Sequence, residues 1–258
     1  MRGDAPTAVF GDGSTLDVSE AMEFTDVPYG ATGPTPIADL PIAPDFGTSF
    51  PADAVLPACD GWGISPDLPA TLSGVVTVTP RVYFKADGCV PVGSSEVESD
   101  QKYYGSFFLQ DMSGGTFVLG DARLAAFPAG SWVTIDVTSV ANAFDLPRVS
   151  TFELISVEAP IPIYYELADG PLDASHDASV VRVTGTVSAA PDGFGEMTLT
   201  TDTGADVVVT LDVELTRRGV TAAVGDRLQV TGPVLYSYGA HAIVVMSLGQ
   251  LAVPAETL

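Results

Sequence analysis

From about residue 69 onward, apolar and polar residues alternate in short runs that are separated by Gly, Asp and Pro. Alternation with a period of two is typical of β-strands with one buried face, and the intervening residues favour turns. The pattern therefore predicts ten strands in two sets of five. The first set covers 72–80, 105–111, 116–119, 132–137 and 152–157, and the second covers 180–189, 196–201, 206–211, 227–233 and 241–248.

The two sets of strands form an internal repeat. The segment LSGVVTVTP at 72–80 parallels VTGTVSAAP at 183–191, which aligns Gly74 with Gly185. In the same way SFFLQDMSGGTFVL parallels EMTLTTDTGADVVV, and AGSWVTIDV parallels VGDRLQVTG. The first copy carries an additional segment, 81–104, between its first two strands.

The connector after the third strand of each copy has weak helical character. Asp121 is placed to cap a short helix at 122–127, and Asp212 to cap one at 213–218. Five strands with a short helix after the third is the plan of an OB barrel. We therefore predict an all-β protein with two tandem OB-like five-stranded barrels, at 69–160 and 161–258, preceded by an extended Pro-rich arm at 1–68.

The strand motifs also resemble a known group of modules. The order G-x-V, then FFLQD-x-x-GG, then G-S/D-x-V-x-V is similar to the OB-fold modules of secreted and surface-anchored bacterial proteins, which often stand beside nuclease or phosphatase domains. The first copy, from Leu72 to about Glu158, carries this pattern. In the second copy MTLTTD replaces FFLQD, so that only the topology carries over. The resemblance implies a module type and says little about activity.

The predicted arm, residues 1–68, contains nine prolines, which exclude a helix of three turns. It also contains many apolar side chains, among them Phe10, Phe24, Tyr29, Ile37 and Phe46. Such side chains are not left in water in a stable protein. We expect the arm to pack along the body of its own chain or of a neighbour.

The charge balance limits the choice of partners. The chain of 258 residues has 10 basic and 33 acidic side chains, a net charge of −23, and is 46% hydrophobic. Affinity for nucleic acid depends largely on Lys and Arg that neutralise phosphates, so the composition disfavours nucleic acid and anionic membranes as partners. No apolar stretch reaches the length of about 18 residues that a transmembrane helix needs. The N-terminus lacks the apolar core of a secretion signal, so the protein is either cytosolic or has lost its export signal.

The two cysteines, Cys59 and Cys89, lie in turn-like sequence beside Gly and Asp. Their spacing matches no zinc-binding pattern. A disulfide between them would stabilise the fold by about 3–4 kcal/mol and would place the protein in an oxidising compartment. Two unpaired structural thiols are the alternative.

An OB barrel binds oligonucleotides or oligosaccharides on the face around its second and third strands. In the first copy this face could display aromatic stacking platforms. We select Tyr103, Tyr104, Phe107 and Phe117 as candidate ligand-binding residues. The alternative is that these rings fill the barrel, and alternation requires that either Phe107 or Phe108 points into the core.

The loop GDGSTLD places Asp12, Ser14 and Asp17 close together. Oxygen ligands with this spacing suit Ca²⁺, and a plain Asp/Gly turn is the alternative. Only two histidines are present, His176 and His241, and no nucleophile, P-loop or dinucleotide motif occurs. We therefore predict no catalytic residue and no cofactor other than Ca²⁺.

Together these patterns predict a non-enzymatic extracellular or cell-surface structural or binding protein. Its sharper form is a self-assembling filament or coat subunit that uses the arm to hold itself, another surface protein or a glycan. The alternative is a substrate-binding accessory module, for single-stranded nucleic acid or glycan, of a secreted nuclease or phosphatase system.

Overall fold

A computed structural model describes residues 7–9, 15–17, 22–30, 32–40, 70–79, 81–82, 104–118, 127–143, 146–237 and 239–254. The N-terminal region contributes three short strands, β1 (Thr7–Val9), β2 (Thr15–Asp17) and β3 (Phe24–Thr25). Strands β1 and β2 pair with each other in antiparallel orientation. A 3-10 helix, Ile37–Asp39, follows.

The first barrel is a ring of five strands with a sixth, short strand at its edge. The strands of this region are β4 (Ala70–Val76), β5 (Arg81–Val82), β6 (Tyr104–Gln110), β7 (Gly115–Val118), β8 (Ser131–Ala143) and β9 (Leu146–Pro160). The sheet runs β4-β8-β9-β7-β6, and pairing of β4 with β6 closes it, while β5 lies at the outer edge of β6. Strands β7 and β9 are parallel, and the other pairs in the ring are antiparallel.

The interior of the first barrel is filled by the inward-facing side chains of alternating strand residues, because successive residues of a strand point to opposite faces. The buried cluster also includes Ile37 and Leu40 from the predicted arm, which lie beside barrel residues such as Leu72 and Ile135. The arm residues are tied to β4 by a hydrogen bond from Thr35 N to Thr71 O of 3.1 Å. The described residues 33–40 are thus part of the core and edge of this barrel.

Between the barrels lie the strands β10 (Ile163–Tyr164) and β11 (Glu166–Leu167) and a 3-10 helix, Ala174–His176. Strand β10 pairs in parallel with β3, so the N-terminal residues 24–25 are held by the segment that leads into the second barrel. Strand β11 pairs in parallel with the first strand of that barrel.

The second barrel has the same plan as the first. Its strands are β12 (Val180–Ala189), β13 (Glu196–Thr201), β14 (Asp206–Leu211), β15 (Arg227–Ser237) and β16 (Ala240–Val245), with a helix α1 (Val213–Arg217) after β14. The ring β12-β13-β14-β16-β15 closes through β12 and β15, and β14 and β16 are parallel. A short strand β17 (Leu251–Ala252) extends the sheet at β15.

The two aligned glycines occupy equivalent positions in the two barrels. A Cβ on Gly74 would lie 2.6 Å from Gln110 O, and one on Gly185 would lie 2.8 Å from Thr200 O. Real Cβ atoms do not come that close to a carbonyl oxygen. Each glycine therefore permits the first strand of its barrel to cross close over the second strand, as a small closed barrel requires.

The chain divides into two compact units, Tyr29–Ile161 on one side and Met1–Pro28 with Pro162–Leu258 on the other. The described parts of the predicted arm are shared between these units. In the part of the chain that the structure describes, no helix is long and apolar enough to cross a membrane. The predicted fold class, an all-β protein with OB-like five-stranded barrels, is confirmed.

Candidate ligand-binding face

The outer face of the first barrel is closed at its second and third strands. Phe107 lies in the core cluster, so the next residue, Phe108, points to the outer face, opposite Phe117 on β7. The ring centroids of Phe108 and Phe117 are 4.7 Å apart. Their exposures are only 0% and 3%, and Arg148, which pairs with Phe117 from β9, is 2% exposed.

This arrangement corrects the sequence-based selection of stacking residues. Phe107 is 1% exposed and packs edge-on against Phe127 inside the barrel, with ring centroids 5.2 Å apart. Phe117 is on the outer side but is buried. Neither ring is an exposed platform, because Phe107 fills the interior of the barrel and Phe117 is packed on its outer side. Tyr103 and the side chain of Tyr104 lie outside the described residues.

The corresponding face of the second barrel is open and rich in hydroxyls. On β13 and β14 the inward positions are apolar except for Thr201, and the outward positions are partly or fully exposed. Thr198 pairs with Val208, Glu196 with Thr210, and Thr200 with Asp206 across the two strands. Thr200 Oγ1 donates a hydrogen bond of 2.7 Å to Asp206 Oδ1.

The hydroxyl-rich surface continues onto β12 and β15. Thr184 lies opposite Gln229, which donates from Nε2 to Thr184 Oγ1 at 3.5 Å. Arg182 donates from Nε to Thr231 Oγ1 at 2.8 Å, and its guanidinium lies 3.6 Å from the ring centroid of Tyr165. Arg182 is thus held in place by the β10–β11 segment through a cation–π contact.

The turn between β12 and β13 projects one large aromatic side chain into solvent. Phe194 is 84% exposed. The turn that carries it, residues 191–196, is fixed by Asp192, whose Oδ1 accepts hydrogen bonds from the backbone N of Phe194 at 2.8 Å and of Glu196 at 3.0 Å. We call residues 191–196 the Phe194 turn.

Gly195 fastens the Phe194 turn to the body of the barrel. Its φ of +84° suits glycine, and a Cβ there would lie 2.5 Å from Leu211 O and 3.1 Å from Thr216 Oγ1. Gly195 O also accepts a hydrogen bond of 2.9 Å from Leu211 N. The exposed ring is therefore presented on a turn that is packed against the end of β14 and against α1.

Two arginines follow the contact between the Phe194 turn and α1. Arg217 is exposed and Arg218 is partly exposed, directly after Thr216. The other two arginines among the described residues of this unit, Arg182 and Arg227, lie on β12 and β15. The turn that carries the exposed ring thus contacts α1 at Thr216, the residue that precedes this pair of arginines.

Arg227 is engaged by an acidic side chain at the turn between β13 and β14. Its Nη1 and Nη2 donate to the two carboxylate oxygens of Asp202 at 2.9 and 2.7 Å. These hydrogen bonds, followed by the charge of Arg227, lower the pKa of Asp202. The same contact raises the pKa of Arg227.

The residues Asp173, Ser175 and His176 resemble a catalytic triad only in composition. Asp173 Oδ1 accepts from Ser175 Oγ at 2.6 Å and lies 3.1 Å from His176 Nδ1, and the same nitrogen is 3.5 Å from Ser175 Oγ. A triad needs the two ring nitrogens of His to serve the acid and the nucleophile separately. Here the three residues cap a 3-10 helix, and the bonds from Ser175 lower the pKa of Asp173.

The second histidine, His241, lies on β16 opposite Tyr236, with ring centroids 4.8 Å apart. Its Nε2 is buried and has no hydrogen-bond partner. This pair lies where β15 turns into β16, at the far end of the barrel from the Phe194 turn.

Several predicted sites fall outside the described residues. Cys59 and Cys89 do so, and so do Asp12 and Ser14, while Asp17 ends β2 without a described side chain. Among the residues that are described, no group of three or more His, Cys, Asp or Glu could hold a metal ion. The disulfide and the Ca²⁺ site stay predictions.

Sequence reasoning did not select Phe194, Arg217 or Arg218. The signal for Phe194 is present in the sequence PDGFGE, because a phenylalanine between two glycines in a turn has no strand in which to be buried. The arginine pair was passed over because the net charge of the whole chain was used in place of the local distribution.

Comparison with known proteins gives structural matches only. No family model matches the sequence, and no curated protein matches it. Sixteen solved chains match the fold. One is "Structure and Conformational Change of a Replication Protein A Heterotrimer Bound to ssDNA", at 13% identity and a TM-score of 0.34, covering 75% of this chain and 51% of that one.

Two further matches have similar values. The "single-stranded DNA binding protein from Thermus aquaticus" is 11% identical, with a TM-score of 0.25, and the match covers 73% of this chain and 93% of that one. The "Ifi202 HINa domain in complex with 20bp dsDNA" is 14% identical, with a TM-score of 0.32, covering 74% and 97%.

Two predictions made from the sequence, a surface structural subunit and nucleic acid as a disfavoured partner, are contrary to these matches. The three structures are described with DNA, and at 11–14% identity and TM-scores of 0.25–0.34 the likeness is one of fold. A sum of −23 over the whole chain does not describe how charge is distributed along it, as the adjacent pair Arg217 and Arg218 shows.

Proposed function

We propose that this protein is a non-catalytic binding module, and that its second barrel binds single-stranded nucleic acid. The observation that carries the proposal is the Phe194 turn, a fixed turn that holds an exposed aromatic ring beside the open face of β13 and β14. The face around the second and third strands is the one that OB barrels use for oligomeric ligands.

Stacking of a base on an aromatic side chain contributes about 1–3 kcal/mol and tolerates any base. Because Asp192 and Gly195 already hold the turn, little conformational entropy is lost when the ring is used. Arg217 and Arg218 supply positive charge for phosphates at the same end of the barrel. The chain has a net charge of −23, so the binding we propose depends more on stacking than on phosphate contacts.

A glycan is the second candidate ligand. The specific observation in its favour is the row of hydroxyl and amide side chains on the open face, which includes Thr184, Thr198, Thr200 and Gln229. Such groups hydrogen-bond to sugar hydroxyls without any positive groove, and an exposed ring such as Phe194 also stacks on a sugar. Either ligand fits the role of an accessory substrate-binding module.

Fluorescence anisotropy with short labelled single-stranded oligonucleotides at low salt tests the proposal, since electrostatic attraction is least screened there. We expect binding by the full chain and a loss of about 10- to 100-fold in affinity for Phe194→Ala, which corresponds to one stacked base. Val253→Ala is the matched control, because Val253 is 79% exposed and lies outside both the Phe194 turn and the β13–β14 face.

The outcomes separate the two candidates. An oligonucleotide affinity that Phe194→Ala leaves unchanged would overturn the assignment of the site. No binding of any oligonucleotide at low salt would overturn nucleic acid as the ligand. Binding of neutral oligosaccharides that is lost in Phe194→Ala would then establish the glycan.

A further inference from the structure

The two barrels can be compared residue by residue through their equivalent glycines. Gly74 approaches Gln110 and the side chain of Leu109, and Gly185 approaches Thr200 and the side chain of Leu199. Leu109 and Leu199 are thus equivalent positions on the second strands. The residues before them, Phe108 in the first barrel and Thr198 in the second, are equivalent as well.

The third and fifth strands follow the same correspondence. Phe108 pairs with Phe117, whereas Thr198 pairs with Val208. Phe117 in turn pairs with Arg148 on the parallel strand β9, whereas Val208 pairs with Ala242 on β16. The centre of the OB face thus contains Phe, Phe and Arg in the first barrel, and Thr, Val and Ala in the second.

The set of side chains that is chemically better suited to binding nucleic acid is the buried set. Two aromatic rings and an arginine are what a single-stranded nucleic acid would contact on an OB face. Yet these three side chains are 0%, 3% and 2% exposed in the first barrel. In the second barrel Thr198 and Val208 are partly exposed, and Ala242 is buried. A ligand cannot reach Phe108, Phe117 or Arg148 without rearrangement of the chain.

We propose that, of the two OB faces in the part of the chain that the structure describes, the one on the second barrel takes the ligand, and that the equivalent face of the first barrel is closed by packing and serves the fold. The closed face of the first barrel is a property of the protein alone, whereas the ligand face on the second barrel rests on the proposed function. Because each barrel by itself has OB topology, topology alone would give two sites per chain. The burial of one face reduces this to one.

Hydroxyl-radical footprinting of the full chain without ligand tests the closed face directly. Phe194 should be oxidised faster than Phe108 and Phe117 by a factor of about ten or more, because reaction at the buried rings requires local opening. Oxidation of Phe108 and Phe117 at rates similar to that of Phe194 would overturn the proposal that this face is closed.

Titration calorimetry with the oligonucleotide or oligosaccharide that binds then tests the single site. We expect one ligand per chain, new radical protection at Phe194 and none at Phe117. Thr198→Glu should weaken binding at least about tenfold, because it places a carboxylate on the proposed face. Val157→Glu, at an exposed position of the first barrel, is the control and should leave affinity unchanged.

The two proposals fail in different ways. Two ligands per chain, or protection at Phe108 and Phe117 on binding, would overturn the single face and leave the binding function intact. If the unmodified chain binds neither ligand class, the proposed function is overturned together with the assignment of a ligand to the second barrel. The oxidation rates without ligand would still decide whether the first face is closed.

Discussion

Asp111 Oδ2 accepts a hydrogen bond of 3.2 Å from the backbone N of Ile37, although the two residues are 74 positions apart in the chain. The other oxygen, Oδ1, accepts from Ser113 N at 2.7 Å and from Ser113 Oγ. Ser113 Oγ lies 3.1 Å from Ala38 N, which donates to it. One buried carboxylate thus connects the turn after β6 to the start of the 3-10 helix that places Ile37 in the core.

Replacement of this carboxylate should loosen the arm from the barrel. In Asp111→Asn an NH2 group replaces one acceptor and faces backbone donors. We expect a loss of about 1–3 kcal/mol in the free energy of unfolding, the usual effect of leaving buried donors unsatisfied. Urea denaturation measures it. Asp39→Asn makes the same chemical change at an exposed site of the same helix and should be neutral. Equal stability of both variants would contradict the role given to Asp111.

The glycine at the crossing of the first two strands makes a second stability prediction. In Gly185→Ala the new Cβ would stand 2.8 Å from Thr200 O, a backbone atom that cannot rotate away. We expect a loss of about 1–3 kcal/mol, as for other overpacked sites. Gly170→Ala is the control, because no atom lies within 4 Å of its new Cβ. A thermal melt in which both variants behave alike would rule out the close-crossing argument.

The second barrel was the easier half to predict from sequence. The predicted strands 180–189, 196–201 and 206–211 match β12, β13 and β14 at both ends. Strict alternation and Gly-containing turns act locally here, so the signal is in the sequence itself. The predicted helix at 213–218 is found as Val213–Arg217.

The first barrel shows where local patterns stop being informative. The strands predicted at 132–137 and 152–157 are parts of the much longer β8 and β9, Ser131–Ala143 and Leu146–Pro160. These strands pair mainly with each other, so their length is set by mutual pairing across a hairpin and not by a buried face that would show as alternation.

The candidate site could be predicted only in part. OB topology predicts a ligand face around the second and third strands, but Phe107 and Phe117 are buried in the structure, because burial depends on tertiary packing. Periodicity shows that Phe107 and Phe108 point to opposite sides, and it does not show that both sides are covered. In contrast, the exposure of Phe194 follows from its place between two glycines in a turn.

Salt dependence should distinguish stacking from phosphate binding at the Phe194 turn. If Arg217 and Arg218 each neutralise one phosphate, the slope of log K against log salt should be about −1.4, since each phosphate of a single strand contributes about −0.7. Arg217→Gln should reduce the slope by about 0.7, and Arg227→Gln, at an arginine whose guanidinium is already paired with Asp202, should leave it unchanged. A slope of several units in the unmodified chain would show that phosphate contacts dominate.

The ion pair of Arg227 and Asp202 makes the protein weakly sensitive to acid. Because hydrogen bonds from Arg227 hold the pKa of Asp202 below its ordinary value of 3.8, the folded state keeps this carboxylate charged to lower pH than the unfolded state does. The stabilisation is therefore present above the unfolded pKa and is lost as the pH falls through the folded pKa. Both side chains are well exposed, so the effect on stability is small and the titration itself is the better measurement.

In an NMR titration of the Asp202 carboxyl carbon, Arg227→Gln should raise the midpoint toward 3.8. An Asp202 midpoint that does not move would show that the bidentate pair is not formed in solution.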